Sequence, residues 1–197
     1  MLVLVGLGNP GARYQTTRHN AGWLLLEAVC RHYQMSVGVG RFQGRFGEGR
    51  VGSERLLWLL PETFMNLAGR SVAELTRFYK ITPEAVIVFH DDLDLAPGRV
   101  KIKVGGGNGG HNGLKSIQQE LGSAGFVRVR IGIGRPPPEA DAADFVLQSF
   151  TAAERLWLEQ LQALFPVLMP RLLQGDYSGV MNEISRSQQL VMELKDR

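Results

Sequence analysis

Cysteine is nearly missing from this sequence. Cys30 stands alone among 197 residues, so no internal disulfide can form, and a small scaffold held together by bridges is excluded. A lone cysteine in an apolar helical pattern reads as a small buried side chain and fits a reducing compartment, so the cytoplasm is the expected location. Long apolar runs are missing too: none approaches the roughly 20 residues of a membrane span, and no membrane partner is expected. The apolar opening Met1 to Val5 has no basic residue ahead of it and stops at Gly6, which makes it a first strand and not a secretory signal. There is no internal repeat and no low-complexity tract. No serine or cysteine stands in a nucleophile motif, which argues against a covalent intermediate.

What remains is ordinary globular material. The chain is 44% apolar and 21% charged, long enough for one medium domain with a sizeable core. The net charge of +3 is modest but unevenly placed. Residues 1 to 60 carry seven Arg against three Glu, and residues 95 to 135 carry seven Lys or Arg against one Glu, whereas 61 to 94 and 136 to 197 are net acidic. The basic stretches point to an anionic partner or to a solvated face with compensating neighbours.

The second basic stretch surrounds the most unusual segment, Gly105 to Gly113, read as GGGNGGHNG, with six glycines in nine residues. So many glycines suit a backbone that enters regions closed to a Cβ or lies against a ligand, although a flexible connector would use them as well. The preceding Arg99-Val-Lys101-Ile-Lys103 alternates cation and aliphatic, as a strand with one charged face does.

Strands are expected at 1–6, 41–51, 56–60, 85–89, 99–104 and 126–134, with a turn at Gly52-Ser53. Helices are expected from about Asn20 to Tyr33, from 67 or 68 to Tyr79, over 114–121, over 141–147, from Thr151 and over 177–190. Thr151-x-x-Glu154 is a capping box, and Pro166 and Pro170 should bend or break the helix it opens. Interleaved strands and helices indicate a single α/β domain over 1–197, a twisted mixed sheet with helices packed on both faces. The helices of 151–190 belong to that domain, and 191–197 should fray.

Gly6-x-Gly8-x-x-Gly11 matches a dinucleotide fingerprint, but Pro10-Gly11 turns the chain and no helix opens at the loop, so a nucleotide cofactor is not expected. Ligands of open α/β sheets bind beyond the carboxyl ends of the strands. Asn9, Asn66 and Asp91 each follow such an end, and His19 is near because its loop leaves the first strand. Asn66 is either a helix cap or a ligand of the cleft. His19, at a helix start, is either a surface histidine or a base whose neutral form the helix terminus favours. His90-Asp91-Asp92-Leu93-Asp94, with His111, raises a divalent metal as an alternative. No dense oxygen-ligand loop or paired-histidine motif accompanies it, and the reading favours one working carboxylate, Asp91, and no metal. A histidine, a carboxylate and carboxamides suit attack by water on an ester, and the basic strands suit an ester attached to a polyanion. Strand 99–104 can run against its neighbours, in which case the glycine loop must fold back to reach the cleft.

Six strings carry a resemblance: GLGNPG (Gly6 to Gly11) with Tyr14, RHNAG (Arg18 to Gly22), ETFMNLAG (Glu62 to Gly69), HDDLD with APG (His90 to Gly98), GGGNGGHNGL (Gly105 to Leu114) and RVRIGIGRP (Arg128 to Pro136). In this order, over most of residues 1 to 136, the chain resembles the bacterial-type peptidyl-tRNA hydrolases. The resemblance implies a monomeric, cofactor-free and metal-independent α/β enzyme that releases peptide from peptidyl-tRNA. It implies His19 as general base, Asp91 as its partner, and Asn9 and Asn66 on the ester and peptide ends, with Met65 and Tyr14 lining the cleft. Asn112 would hold the water or oxyanion, and His111 would gate or bind near the acceptor end. Lys103 and Arg130 would clamp the 5′-phosphate, with Lys101 beside them. The runner-up is a non-catalytic RNA-binding protein of the same fold, against which the intact His19, Asn66 and Asp91 stand.

Overall fold

The apolar run of β1 (Leu2–Gly6) is buried along its inner four residues, as befits a strand covered on both faces. The computed structural model, which describes residues 1–36, 38 and 40–195, places it at the centre of a six-stranded sheet. The other strands are β2 (Gly44–Val51), β3 (Glu54–Pro61), β4 (Val86–Asp92), β5 (Val100–Val104) and β6 (Val127–Gly132). Their spatial order is β2-β3-β1-β4-β6-β5. The four inner strands run parallel, and β2 and β5 run antiparallel at the two edges. Parallel neighbours bring the ends of β3, β1 and β4 to one side, so the segments carrying Asn66, Asn9 and Asp91 meet there.

Helices α1 (Ala21–His32), α2 (Ala68–Tyr79), α3 (Asn112–Leu121), α4 (Ala142–Val146), α5 (Ala152–Leu173) and α6 (Tyr177–Lys195) complete the chain. Alternation along each strand divides the core. Val3, Val5, Leu57, Leu59 and Val88 pack with residues of α2 and α3, whereas Leu4, Leu56, Ile87, Phe89 and Val129 pack with residues of α1, α5 and α6. Helices therefore cover both faces, and the C-terminal helices share a core with the strands. Two glycines set how closely these layers approach. A Cβ on Gly22 would lie 2.0 Å from the Phe89 carbonyl oxygen of β4, and one on Gly69 would lie 2.1 Å from the Ser116 carbonyl oxygen of α3.

Several boundaries differ from the sequence reading. Strand β4 does not stop at Phe89: pairing with β6 continues through Asp91 and Asp92, opposite Ile131 and Gly132. Asp91 is therefore held within the ladder and does not stand on a turn. Strand β2 starts at Gly44 and not at Arg41, because Arg41 and Gly44 exchange backbone hydrogen bonds across a tight turn in which Phe42 and Gln43 have φ of 55° and 52°. Helix α5 is not broken by its prolines. Pro170 has no N–H for the Pro166 carbonyl, and the Tyr33 hydroxyl donates to that carbonyl instead, at 2.7 Å. Helix α6 extends to Lys195, past the expected helix end at Leu190; the last two positions of the expected tail lie outside the described residues. The Thr151–Glu154 capping box forms as expected.

The packing of Gly69 yields a test. Gly69→Ala drives a methyl into the α3 backbone, so the denaturation midpoint should fall with an unchanged slope, by about 1–3 kcal/mol or more of stability.

Candidate active site

Three consecutive residues of the 3-10 turn just ahead of α1 point in three directions, and each direction has a purpose. Arg18 is buried and turns toward the C-terminal helices. Its Nε and Nη2 donate to Glu154 at 2.9 and 3.0 Å, and its Nη1 donates to the Phe145 carbonyl at 3.0 Å. Asn20 turns toward the first loop, accepting from the Asn9 N–H at 2.9 Å and donating to the Asn9 carbonyl at 3.0 Å. Between them His19 faces β4, its Nδ1 2.9 Å from Oδ2 of Asp91. Two short 3-10 turns, Ala12–Tyr14 and Arg18–Asn20, separate the Gly6–Gly11 loop from α1. The loop therefore presents Asn9 to the cleft and does not open a helix beneath a phosphate.

The buried Asp91 carboxylate has a second imidazole partner. His111 Nε2 lies 2.8 Å from Oδ1. The other nitrogen of that ring, Nδ1, caps α3 by accepting from the backbone N–H groups of Gly113 at 3.1 Å and Leu114 at 3.4 Å. A nitrogen that accepts from N–H groups carries no proton, so the His111 proton is on Nε2 and points at Asp91. His111 thus joins the array around Asp91 in this structure. Its capping role went unread in the sequence because caps are mostly Ser, Thr, Asp or Asn.

Burial on its own would raise the Asp91 pKa, but the two imidazoles, His19 foremost, hold it well below the ordinary carboxylate range. For His19, burial opposes the charged ring, yet the charge and hydrogen bond of Asp91 prevail and raise its pKa above 6.5. This corrects the expectation that the helix terminus favours the neutral ring: the carboxylate in contact outweighs the partial charge at the helix start. His90, on the opposite face of β4, is pushed down to about 4 by burial and by His111. Its Nδ1 lies 2.7 Å from the Asp91 carbonyl, and its buried Nε2 has no partner among the described residues.

Asn9 is clamped on three sides. Besides its bonds to Asn20, its Oδ1 accepts from the Met65 N–H at 2.8 Å, which leaves its Nδ2 protons for a ligand. It lines a cleft of about 420 Å³ with Tyr14, His19, Phe64, Met65, Asn66 and Asn112 on one side and Ala143, Val146 and Leu147 of the α4 region on the other. Asn66 lies in a 3-10 turn ahead of α2, whose cap is Leu67, so it is a cleft residue and not the cap. Phe64 and Leu147 are exposed large apolar side chains at this cleft; single exposed apolar residues carry no sequence signal, and neither was singled out.

His19 also lines a smaller neighbouring space of about 180 Å³ with His90, Asp91, His111 and the loop residues Asn108 to Gly110. Beyond it, sharing His90, Asp92 and Asn108, lies a third space of about 220 Å³ beneath the glycine loop, lined by Lys103, Arg128 and Arg130. Lys103 and Arg130 thus share one cleft, whereas Lys101 is exposed on β5 opposite Arg130 and does not line it. Arg130 donates to Asp92 at 2.8 Å. Arg128 is buried and pins the loop, donating to the carbonyls of Ala124 at 3.0 Å and Gly106 at 2.8 Å. The glycine loop does fold back: β5 runs away from the cleft, and the loop returns His111 to Asp91.

His19, Asp91 and His111 are also ligand-type side chains lying close together. The cap argues against a metal on this set, because the proton on His111 Nε2 occupies the lone pair that would bind the ion. Cys30 supplies no thiolate, since burial and Glu27 push it up to about 12. The arrangement offers an oriented imidazole, a fixed carboxylate and carboxamide donors, with His19 lining both the cleft of mixed polarity and the small space that leads toward Lys103 and Arg130.

Comparison with known proteins gives concordant results. Residues 3–191 match the sequence profile of the family described as peptidyl-tRNA hydrolase. A protein of that name from Geobacter metallireducens is 56% identical over 159 residues, covering 81% of each chain. One from Cereibacter sphaeroides is 49% identical over 185 residues, covering 94% of this chain and 82% of its own. The crystal structure of peptidyl-tRNA hydrolase from Acinetobacter baumannii superposes with a TM-score of 0.87 at 37% identity, covering 93% of this chain and 94% of that one.

The charges of the array set a titration. The His19 ring should titrate above 6.5 in an NMR pH series, and in Asp91→Asn, where burial acts unopposed, below it. Because the folded value is the higher one, the stability that His19 contributes is complete below the unfolded imidazole value and is lost as pH rises through the folded one.

Proposed function

The chain belongs to the peptidyl-tRNA hydrolase family and is an ester hydrolase acting on peptidyl-tRNA, and from this premise we propose how its residues divide the work. His19 is the general base. Its Nδ1 faces Asp91, so Nε2 is the nitrogen free to take a proton from water. The water oxygen attacks the ester carbonyl carbon, and negative charge develops on the carbonyl oxygen. Asn9, through its free Nδ2 protons, and Asn66 and Asn112 on the cleft wall donate to that charge and to the peptide amides. When the bond from carbon to the ribose oxygen breaks, His19 returns the proton to the leaving oxygen. The products are a peptide carboxylic acid and tRNA with a free terminal hydroxyl. Asp91 holds the ring in the tautomer that keeps Nε2 unprotonated and stabilises the imidazolium formed midway.

The observation that carries this reading is that His19 lines one cleft directly and borders the small space through which that cleft continues toward a second, unlike one. The Met65, Phe64, Tyr14 and Leu147 side suits peptide, and the Lys103 and Arg130 side suits phosphate. The substrate ester joins those two chemistries. Lys101 contributes charge along the approach without lining the cleft. We further infer a single-domain monomer working in the cytoplasm; one sheet contributes to the cores on both of its faces, which suits a single domain. No helix among the described residues is long and apolar enough to cross a membrane.

With chelator present, the protein should release label from N-acyl-aminoacyl-tRNA and spare unblocked aminoacyl-tRNA. His19→Ala should lower kcat by about 10²–10⁴ with little change in KM. Tight tRNA binding without release by the unmodified protein would instead favour an RNA-binding role. Lys103→Ala should weaken substrate binding and reduce the slope of log K against log salt by about one.

A further inference from the structure

A buried carboxylate that accepts from two rings can be turned by either of them. Its Oδ2 serves His19 and its Oδ1 serves His111. Only one ring has its proton position dictated from elsewhere. The N–H groups of Gly113 and Leu114 face His111 Nδ1, and the backbone of a helix N-terminus cannot switch from donor to acceptor. His19 has no comparable constraint on its second nitrogen, which faces the clefts.

We propose that His111 is a positioning residue: its Nε2–H, fixed as a donor by the α3 N-terminus, holds the Asp91 carboxylate so that Oδ2 stays aimed at His19 Nδ1–H and the base keeps Nε2 toward the clefts. The chain of donors has one direction. Backbone N–H groups donate to His111 Nδ1, His111 Nε2–H donates to Asp91 Oδ1, and His19 Nδ1–H donates to Asp91 Oδ2. The proposal rests on the reading of His19 as base, and it adds that His111 is needed as a donor without touching the substrate.

The directionality has a consequence that a packing role lacks. In Asp91→Asn the amide must give its single oxygen to one ring and its NH2 to the other. His111 can only donate, so it takes the oxygen, and the NH2 faces His19 Nδ1. His19 must then carry its proton on Nε2, which disables it as a base. Glutamine at position 111 removes the obligation. Its amide places a donor or an acceptor near the position of His111 Nε2, depending on which way it faces. It therefore serves Asp91 as a donor, and it serves an asparagine at position 91 as an acceptor, freeing the asparagine oxygen for His19.

The test compares hydrolysis of N-acyl-aminoacyl-tRNA by the unmodified protein, His19→Ala, His111→Leu, His111→Gln, Asp91→Asn and the Asp91→Asn/His111→Gln double variant, alongside ¹⁵N NMR of the histidine rings. His111→Leu should lower kcat by about 10- to 100-fold, the scale of a misplaced catalytic group, and His111→Gln should recover most of that loss. Asp91→Asn should lose about 10⁴ in kcat, as expected for a wrong tautomer. The double variant should be about tenfold or more faster than Asp91→Asn alone, so the same glutamine that slows the enzyme in one background speeds it in the other. In the unmodified protein the NMR should show His111 protonated at Nε2 and not at Nδ1, a readout independent of any variant's folding. A double variant no faster than Asp91→Asn, or a His111 ring protonated at Nδ1, would overturn the proposal while leaving His19 as the base. Full activity in His19→Ala would overturn the base assignment itself, and this inference with it.

Discussion

A carboxylate shut away from water at the end of an inner strand is the constraint around which this molecule is arranged. An unpaired charge there would be prohibitively unfavourable, and Asp91 is accommodated only because each of its oxygens faces an imidazole. Both partners come from remote parts of the chain, and both need precise backbone paths. His19 reaches β4 because Gly22, three residues later, lets α1 rest against the Phe89 carbonyl. His111 reaches it because the glycine loop crosses back from the far edge of the sheet, with Gly105, Gly106, Gly109 and Gly110 all at positive φ. The cleft thus depends on backbone that only glycine permits at several points.

How much of this could be read from the residues depends on sequence distance. The strands were legible because buried parallel strands are apolar throughout, and the meeting of Asn9, Asn66 and Asp91 followed from parallel β3, β1 and β4. Charge alternation in 99–104 indicated a strand with one charged face, and the pairing of β5 with β6, which the alternation did not reveal, sets Lys101 and Lys103 opposite Arg130 and Arg128. The contact between His111 and Asp91 was not legible, since it follows from the path of a loop whose glycines allow many paths. Nor was the continuity of α5 through Pro166 and Pro170, because the group that substitutes for the missing donor, the Tyr33 hydroxyl, comes from the end of α1. The raised pKa of His19 was missed for a related reason: the local helix terminus is visible in the sequence, and the carboxylate that outweighs it is not.

The dinucleotide-like GLGNPG string shows how context redirects a motif. The same glycines that would cradle pyrophosphate ahead of a helix here shape a loop whose asparagine is clamped by Asn20 and by the Met65 N–H. Fixing the oxygen of Asn9 through a backbone donor determines which end of the amide meets a ligand. In the same way the backbone at α3 determines which nitrogen of His111 carries the proton. At both positions main-chain groups, whose polarity substitution cannot invert, set the polarity of a side chain.

The ion pair between Arg18 and Glu154 has a bearing on the birth of the protein. A hydrolase of peptidyl-tRNA is itself made as a peptidyl-tRNA, and each nascent copy is a potential substrate for its own kind of chemistry. The turn that carries His19 is anchored by a residue far along the chain, at the start of α5. A chain shorter than this has no carboxylate for Arg18, although the Phe145 and Gln148 carbonyls and Asp91 also hold the turn. The group that carries the chemistry is thus braced by a residue about four fifths of the way along the chain, so the finished site draws on nearly the whole length of the polypeptide.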